Sequence, residues 1–523
     1  MSSTLLVDPS ARRSSLRKAA AWPLALLLTA AILGLAIAAL SERYFAILFG
    51  PLALLITIIF WAMPAPRTVP LHIAWLALVG TLGLTIVWPS YIALRLPGLP
   101  WINMPRLLMS MFLVLWLYCL FNSSTARRQL LQDLRDYKPI FLFLLGWIVV
   151  MVLGIAKSHN PADSITRIVN FQLSNTVALL AVVSLVRTPA QLRLLAIVIL
   201  CAGAFVMANG LIESRLQSII WLKFNPPGFS TDEKFVTELL EGVWREGNYR
   251  VQGPFFVSLS YAECLVLTLP FAYYFLLNAK SWMMRYVFIA YILISAPAIY
   301  VSHSRLGVVG FFLVGMTYAG FFAMRSWWAS KTNLFGPILA LLFPVLIVSF
   351  LGAVTVSNRL QTAMIGDGGT QSSDDGRALQ RKLAIPAIMR SPIVGYGMAQ
   401  GGIVAGFTMP NGAGTFDNYI LLVALDNGIP GLLCFLGFVG WCILRGSQTY
   451  LMSNSELSKM AGALAVYFIV FLVIRWVLAQ QENHQFVMAV AGMLVSILRM
   501  EKQNKAEASA SGAAEPAAAH TRR

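Results

Sequence analysis

Long runs of apolar residues recur along the whole chain and are separated by shorter polar segments. A run of about 20 residues is long enough, as a helix, to cross a hydrocarbon core of roughly 30 Å. The runs are rich in Leu, Ala, Ile, Val and Phe and lack the alternation of a membrane barrel strand. This pattern predicts an all-α, polytopic integral membrane protein with about 14 transmembrane helices, in a range of 12 to 14.

The predicted spans lie near residues 19–40, 45–63, 71–89, 107–121, 139–156, 168–186, 194–212, 255–278, 286–301, 306–323, 334–355, 432–447, 460–478 and 486–498. The first span has a basic flank, as a secretory signal does. Its apolar run is longer than a signal's hydrophobic region and a second span follows at once, so we expect it to be retained.

Basic residues are distributed unevenly between the two sides that these spans define. If the N-terminus is cytoplasmic, more than half of the 39 Lys and Arg residues fall in cytoplasmic segments, and many of the others lie in two long outer loops. The positive-inside rule therefore predicts that both termini are cytoplasmic. This orientation also explains much of the net charge of +17. No soluble basic domain is predicted, so we expect no nucleic-acid partner.

The spans divide the chain into seven predicted regions. They are a basic cytoplasmic N-terminus (1–18), N-terminal transmembrane helices (19–212), a periplasmic loop (213–254), further transmembrane helices (255–355), a large periplasmic loop with a partial helix (356–431), C-terminal transmembrane helices (432–498) and a disordered cytoplasmic tail (499–523). The partial helix is expected over residues 377–391, because Arg377 and Arg381 share one helical face while Leu379 and Leu383 share another. The tail is rich in Ala, Ser and charge and has no periodic apolar face.

The large outer loop is the part of the chain that most strongly indicates chemistry. The protein is 58% hydrophobic and only 12% charged, yet this loop places Arg377, Arg381, Lys382 and Arg390 beside a run of glycines. The run GYGMAQGGIVAG lacks the Lys-Ser/Thr of a phosphate-binding loop, so we interpret it as a tight turn or close backbone packing. The cationic residues indicate contact with something polar.

Further arginines lie at predicted span ends on the outer side: Arg250, Arg305, Arg167 and Arg475. Charges at this depth are costly and usually face protein or a water-filled cavity. The alternative for each of them is that the side chain extends to lipid phosphate groups.

Metal and disulfide chemistry is not predicted. His159, His303 and His484 have no second histidine or carboxylate at ligand spacing on a common helix, and all five cysteines fall inside predicted spans. We therefore expect neither a metal ion nor another cofactor.

Four motifs, in order along the chain, resemble those of the O-antigen ligase and Wzy-type polymerase superfamily. They are RVQGPF with SLSYAECLVLTLP, then SHSRLGVVGFFLVG, DDGRALQRKLAIPAIMRSPIVGYG and DNYILLVALDNGIPGLLCF. The resemblance covers roughly residues 250 to 445. Members of this superfamily are polytopic helical glycosyltransferases of the GT-C type, so the resemblance implies a GT-C-like fold.

The resemblance also implies a function. It implies a metal-independent glycosyltransferase in the bacterial inner membrane, whose active site faces the periplasm and joins a polyprenyl-diphosphate-linked saccharide donor to a saccharide acceptor. Arginines in a partly dehydrated cavity would stabilise the charge of the diphosphate leaving group. The predicted catalytic residues are Asp417, Arg305 and Arg250. The predicted substrate-binding residues are Arg377, Arg381, Asn418 and Arg167.

One position departs from the family pattern. Ligases usually carry a histidine where this chain has Asp417. An aspartate has an ordinary pKa of about 3.9, so it is a weak base unless burial raises that value, and it could simply cap the next helix. The departure favours a polymerase of exopolysaccharide or O-antigen repeat units, with a flippase and a chain-length regulator as candidate partners.

Three alternatives to the polymerase stay open. The first is an O-antigen ligase that transfers the glycan to lipid A core or to a protein. The second is a transporter, although no repeat between the two halves of the chain is found. The third is a non-catalytic subunit of a polysaccharide assembly machine, which only an activity test separates from an enzyme.

Overall fold

Eleven of the predicted spans coincide with helices of the structure. The computed structural model describes residues 69–94, 102–223, 227–231, 243–245, 247–329, 369–408 and 416–520, with isolated positions at 28, 29, 31, 32 and 338. The predicted spans 19–40, 45–63 and 334–355 lie wholly or largely outside the described residues.

The described helices are, in chain order, α1 (Leu71–Val87), α2 (Met104–Asn122), α3 (Ser124–Asp136), α4 (Lys138–Gly154), α5 (Pro161–Phe171), α6 (Val177–Leu185), α7 (Pro189–Leu216), α8 (Ile220–Lys223), α9 (Ser258–Asn278), α10 (Trp282–Tyr300), α11 (Arg305–Ala329), α12 (Gly369–Arg390), α13 (Gly401–Val404), α14 (Tyr419–Met452), α15 (Glu456–Ile474) and α16 (His484–His520). A 3-10 turn, Ile155–Lys157, extends α4, and a π-helical segment, Gln172–Thr176, joins α5 to α6.

Within the described ranges, nine helical segments are long and apolar enough to cross a membrane. They are Met104–Asn122, Lys138–Lys157, Pro161–Leu185, Pro189–Leu216, Ser258–Asn278, Trp282–Tyr300, Arg305–Trp328, Tyr419–Met452 and Glu456–Ile474. The chain is therefore an all-α, multi-pass membrane protein. The shorter apolar helix α1 packs beside α2 and α7.

Short strands lie between the helices. β1 (Ala93–Leu94) pairs antiparallel with β2 (Ile102–Asn103) on one side and with β3 (Phe229–Ser230) on the other. β4 (Trp244–Arg245) and β5 (Asn248–Tyr249) form a hairpin. Because β5 ends directly before Arg250, this hairpin fixes the position of the Arg250 backbone.

The helices α9 and α15, together with the first part of α16, form the centre of the bundle. In the most apolar stretches of α9 and α15, 78% of the residues are buried, whereas the corresponding values for α10 and α11 are only 22% and 28%. The rings of Phe271 and Tyr467 meet edge to face between α9 and α15, with their centroids 6.1 Å apart. The helices α10 and α11 therefore present most of their apolar surface outwards, as expected for lipid-facing spans.

Contacts between loops agree with the side that the sequence predicts for each loop. Among segments predicted to be cytoplasmic, Asp133 accepts hydrogen bonds from Arg187 at 2.9 Å and from Arg499 at 2.6 Å. Among segments predicted to lie on the opposite side, the Ser90 hydroxyl donates to Glu482 at 3.0 Å. Each of these contacts joins segments that were predicted to lie on the same side of the membrane.

Residues 426–431, which were expected to end the large loop, form a kink within α14. Gly428 has φ 66° and ψ −175°, and the helix resumes through Pro430. A positive φ is adopted readily only by glycine, and proline is tolerated where a helix begins. Helical structure therefore starts at Tyr419, well before the predicted span at 432–447.

The C-terminal segment also differs from its prediction. Disorder was expected from residue 499, but α16 continues to His520. Its Ala, Glu, Lys and Gln residues all have high helix propensity, which can sustain a helix that has no apolar face.

A buried ion pair joins α9 and α15 at the ends that are predicted to face outwards. The guanidinium of Arg475 contacts the carboxylate of Glu263, and both side chains are 1% exposed or less. Asn483 donates a second hydrogen bond to this carboxylate at 2.8 Å, and Arg475 also donates to the Leu478 carbonyl at 3.1 Å. The pair therefore fixes both α9 and the segment that connects α15 to α16.

We predict that Glu263→Gln lowers the free energy of unfolding by about 3–5 kcal/mol, because it leaves the Arg475 charge buried without its counter-charge. Thermal unfolding of the purified protein in a single detergent would measure the loss. The matched control is Glu456→Gln, which removes an ion pair with Arg193 whose two side chains are 47% and 49% exposed. The control should cost no more than about 1 kcal/mol. Equal losses in the two variants would contradict a stabilising role for the buried pair.

Candidate functional site

The helix expected in the large outer loop is present as α12, and it brings Arg377 to Asp417. The Arg377 Nε lies 3.7 Å from the Asp417 Oδ2, and the two side chains are 29% and 41% exposed. Each side chain is therefore partly accessible to solvent. Arg381 lies one turn further along the same helix with an exposed side chain.

The backbone around Asp417 is held at three successive residues. The N–H of Asp417 donates to the side-chain oxygen of Gln380 at 3.2 Å, and the N–H of Tyr419 donates to the Arg475 carbonyl at 3.0 Å. Between them, the Asn418 side chain accepts a hydrogen bond from the N–H of Leu421 at 3.0 Å. Asn418 is thus the N-cap of α14, a role that the Asp417 side chain does not fill.

This finding bears on two of the candidate residues. The cap role that was an alternative for Asp417 belongs to Asn418. Asn418 is 8% exposed and its side-chain oxygen is engaged in the cap, so its contribution to substrate binding, predicted from the motif, remains a prediction.

The segments that carry Arg250 and Arg305 are joined by a backbone hydrogen bond. Val251, next to Arg250, donates its N–H to the Val301 carbonyl at 3.3 Å. Val301 begins the short turn that leads to Arg305, the first residue of α11. The structure therefore brings these two segments together, as a shared role for the two arginines requires.

His303 lies exposed in the same turn, with φ 49°. Partial burial, together with the nearby positive charge of Arg250, lowers the pKa of this imidazole below its usual value. The sequence alone indicated only that His303 has no partner at metal-ligand spacing.

A buried carboxylate holds the RVQGPF motif in place. Glu213, near the end of α7, is fully buried and accepts hydrogen bonds from the N–H groups of Gln252 and Gly253, each at 3.0 Å. The Tyr249 hydroxyl donates to the same carboxylate at 3.2 Å. The Tyr91 hydroxyl donates to the Gly253 carbonyl at 2.7 Å. Glu213 was not predicted from the sequence, although an acidic residue at the end of an apolar run is a usable signal.

Glu482 extends this network to the segment between α15 and α16. Its carboxylate accepts from the Phe256 N–H at 2.9 Å as well as from the Ser90 hydroxyl. Burial raises the pKa of Glu482 above its usual value. Arg475 begins the same segment, and its carbonyl accepts the N–H of Tyr419. The segment between α15 and α16 therefore links the RVQGPF motif to the start of α14.

The glycine-rich run packs closely against the kink in α14, as interpreted from the sequence. The Asp426 carboxylate accepts from the N–H of Ala399 at 2.9 Å and from the N–H of Gly401 at 2.7 Å. A side chain at Gly428 would place its Cβ 2.5 Å from the Ile393 carbonyl oxygen. This contact attaches the end of α12 to α14 and so helps to hold Arg377 beside Asp417.

Arg167 has a partner on its own helix. Its Nε donates to Asp163 at 2.9 Å, and Asp163 also accepts from the Gln400 amide at 3.0 Å. Arg167 therefore lies by the glycine-rich run, with a side chain that is 51% exposed. Its predicted role in substrate binding remains a prediction.

Histidine and carboxylate side chains do not form a metal site in the part of the chain that the structure describes. His484 is buried among aromatic rings, with its ring centroid 4.7 Å from that of Tyr419 and 5.7 Å from that of Phe471. This environment suits a packed core histidine.

Comparison with known protein families identifies part of the chain. Residues 289–436 match the family model described as O-antigen ligase, whereas a search of curated proteins found no match. The matched range contains Arg305, Arg377 and Asp417, and Arg250 precedes it. The resemblance predicted from the motifs is confirmed over this range. The chain therefore has an O-antigen-ligase-related region, which indicates a membrane enzyme of the ligase or polymerase type that acts on lipid-linked saccharides.

Proposed function

We propose, from the O-antigen-ligase match and the geometry around Asp417, that the protein polymerises exopolysaccharide or O-antigen repeat units. The donor is a polyprenyl-diphosphate-linked oligosaccharide, and transfer takes place on the periplasmic face of the bacterial inner membrane. The observation that carries the proposal is the contact between Arg377 and Asp417, both partly exposed and both held by α12 and α14. The full set of about 14 spans and a GT-C-like arrangement belong to the same proposal.

The proposed reaction is a displacement at the anomeric carbon of the donor. An acceptor hydroxyl oxygen forms the new glycosidic bond, and the bond from the anomeric carbon to the diphosphate oxygen breaks. The diphosphate leaves with the bonding electron pair, so negative charge grows on its oxygens. Arg250, Arg305 and Arg377 would stabilise that charge, because guanidinium groups make bidentate contacts with phosphate and need no metal ion.

Asp417 would take the proton of the acceptor hydroxyl or orient that hydroxyl. Its 41% exposure leaves room for a sugar, and its backbone is fixed on both sides. Contact with Arg377 would keep the carboxylate next to the diphosphate group. Arg381, Asn418 and Arg167 are proposed as further substrate contacts.

The ligase is the alternative, because the family model that matches is described as O-antigen ligase. We favour the polymerase because Asp417 stands where the ligase pattern carries a histidine. In the polymerase proposal the acceptor is a second lipid-linked chain, and a flippase and a chain-length regulator are the candidate partners.

The arginine roles can be tested by substitution. Arg250→Ala or Arg305→Ala should each lower polymer formation by about 10²- to 10³-fold, as expected when one preorganised donor to a developing charge is lost. Lys at either position should restore little, since it cannot make a bidentate contact. The measurement is polymer yield at matched protein level in the membrane.

The control for both variants is Arg285→Ala, because Arg285 lies near the opposite end of α10 and packs on Trp282. This control should keep normal activity. Normal yield from both Arg250→Ala and Arg305→Ala would overturn the proposed diphosphate contacts and favour binding of these arginines to lipid phosphate.

The acceptor can be identified with purified components. Purified protein in lipid vesicles, given only the lipid-linked donor, should form longer lipid-linked chains without lipid A core or a protein acceptor. Asp417→Asn should lower the rate by about 10²- to 10⁴-fold if the carboxylate is a general base. Transfer that requires added lipid A core would contradict the polymerase and support the ligase.

A further inference from the structure

Gln380 and Arg377, both on α12, each make a polar contact with residue 417. The two residues are three positions apart, so they lie on the same face of the helix. Arg377 meets the Asp417 carboxylate, while the Gln380 side-chain oxygen accepts the Asp417 N–H at 3.2 Å. One helix therefore holds both the side chain and the backbone of Asp417.

The burial of Gln380 limits the partners that its side-chain amide can bind. Gln380 is only 7% exposed, and a buried amide must find hydrogen-bond partners inside the protein. The next turns of α12 are fixed by a small apolar cluster in which Ala384 and Ala387 pack with Phe416 and Leu425. Since Phe416 directly precedes Asp417, the cluster and the hydrogen bond together leave the Asp417 backbone little freedom.

The contacts on either side of Asp417 serve other purposes. The Asn418 side chain caps α14, and the Tyr419 N–H bonds to Arg475, so both anchor the helix. The Gln380 bond acts on the N–H of residue 417 itself. This bond restrains the φ torsion of residue 417, which helps to set the direction of its side chain.

We propose that Gln380 is a positioning residue that aims the Asp417 carboxylate at the acceptor hydroxyl. The inference rests on the proposed function, because it requires Asp417 to act in the reaction. Gln380 does not contact the substrate and acts through Asp417. Its removal should therefore change the rate of transfer and leave binding of the donor largely unaltered.

The test compares variants at two neighbouring positions of α12. Gln380→Met keeps the length of the side chain but cannot accept the hydrogen bond, and should lower kcat about 10-fold with a donor KM within about 2-fold of normal. Gln380→Glu keeps an acceptor oxygen and should restore most of the activity. Leu379→Met, which alters an exposed side chain at the adjacent position, is the matched control and should keep normal kcat and KM.

Combination with Asp417→Asn separates positioning from a general loss of structure. If Gln380 acts through Asp417, the 10-fold loss should disappear or shrink strongly when Asp417→Asn is already present. The same 10-fold loss in both backgrounds, or a loss that lies in donor KM, would overturn the positioning role and leave the proposed function standing. Full activity of Asp417→Asn alone would overturn the proposed role of Asp417, and the role of Gln380 with it.

Discussion

The contact between Glu263 and Arg475 is the constraint on which the outer end of the bundle depends. Two charges at the junction of α9 and α15 are removed from solvent, which is favourable only when each finds a partner and further hydrogen bonds. Asn483 and the Leu478 carbonyl provide those bonds, so the connection between α15 and α16 has to fold around the pair. The carbonyl of Arg475 then accepts the N–H of Tyr419 and fixes the start of α14.

Other buried carboxylates hold the remaining outer segments by the same means. Glu213 binds backbone N–H groups of the RVQGPF motif, Glu482 binds the N–H of Phe256, and Asp426 binds two N–H groups of the glycine-rich run. Loops at the edge of a membrane need such partners, since their polar backbone groups approach a poorly hydrated region. The acidic residues therefore shape the loops, while Arg377 stays partly exposed and Arg381 is exposed.

Local patterns in the sequence predicted the helices well, because a span depends on the composition of one segment. The helix around Arg377 was also predicted, and the structure places it as α12. Pairings between distant positions were not predicted: nothing local connects Arg475 to Glu263, and Arg475 was interpreted only as a charge at a span end. The start of α14 at Tyr419 was missed because Gly428 and Pro430 were interpreted as a loop, whereas a positive φ at Gly428 allows the helix to continue beyond a kink. The motifs led to Arg377 and Asp417 but not to Gln380, whose contact depends on the packing of α12.

The central claim is that the outer arginines bind the diphosphate of a lipid-linked donor. The most direct measurement is a cryo-electron microscopy structure of the full chain in a lipid nanodisc with such a donor bound. The account predicts the diphosphate within about 4 Å of guanidinium nitrogens of Arg250, Arg305 or Arg377, with the sugar next to Asp417. Density for the diphosphate at the opposite end of the bundle, beside Arg193 and the end of α9, would contradict it.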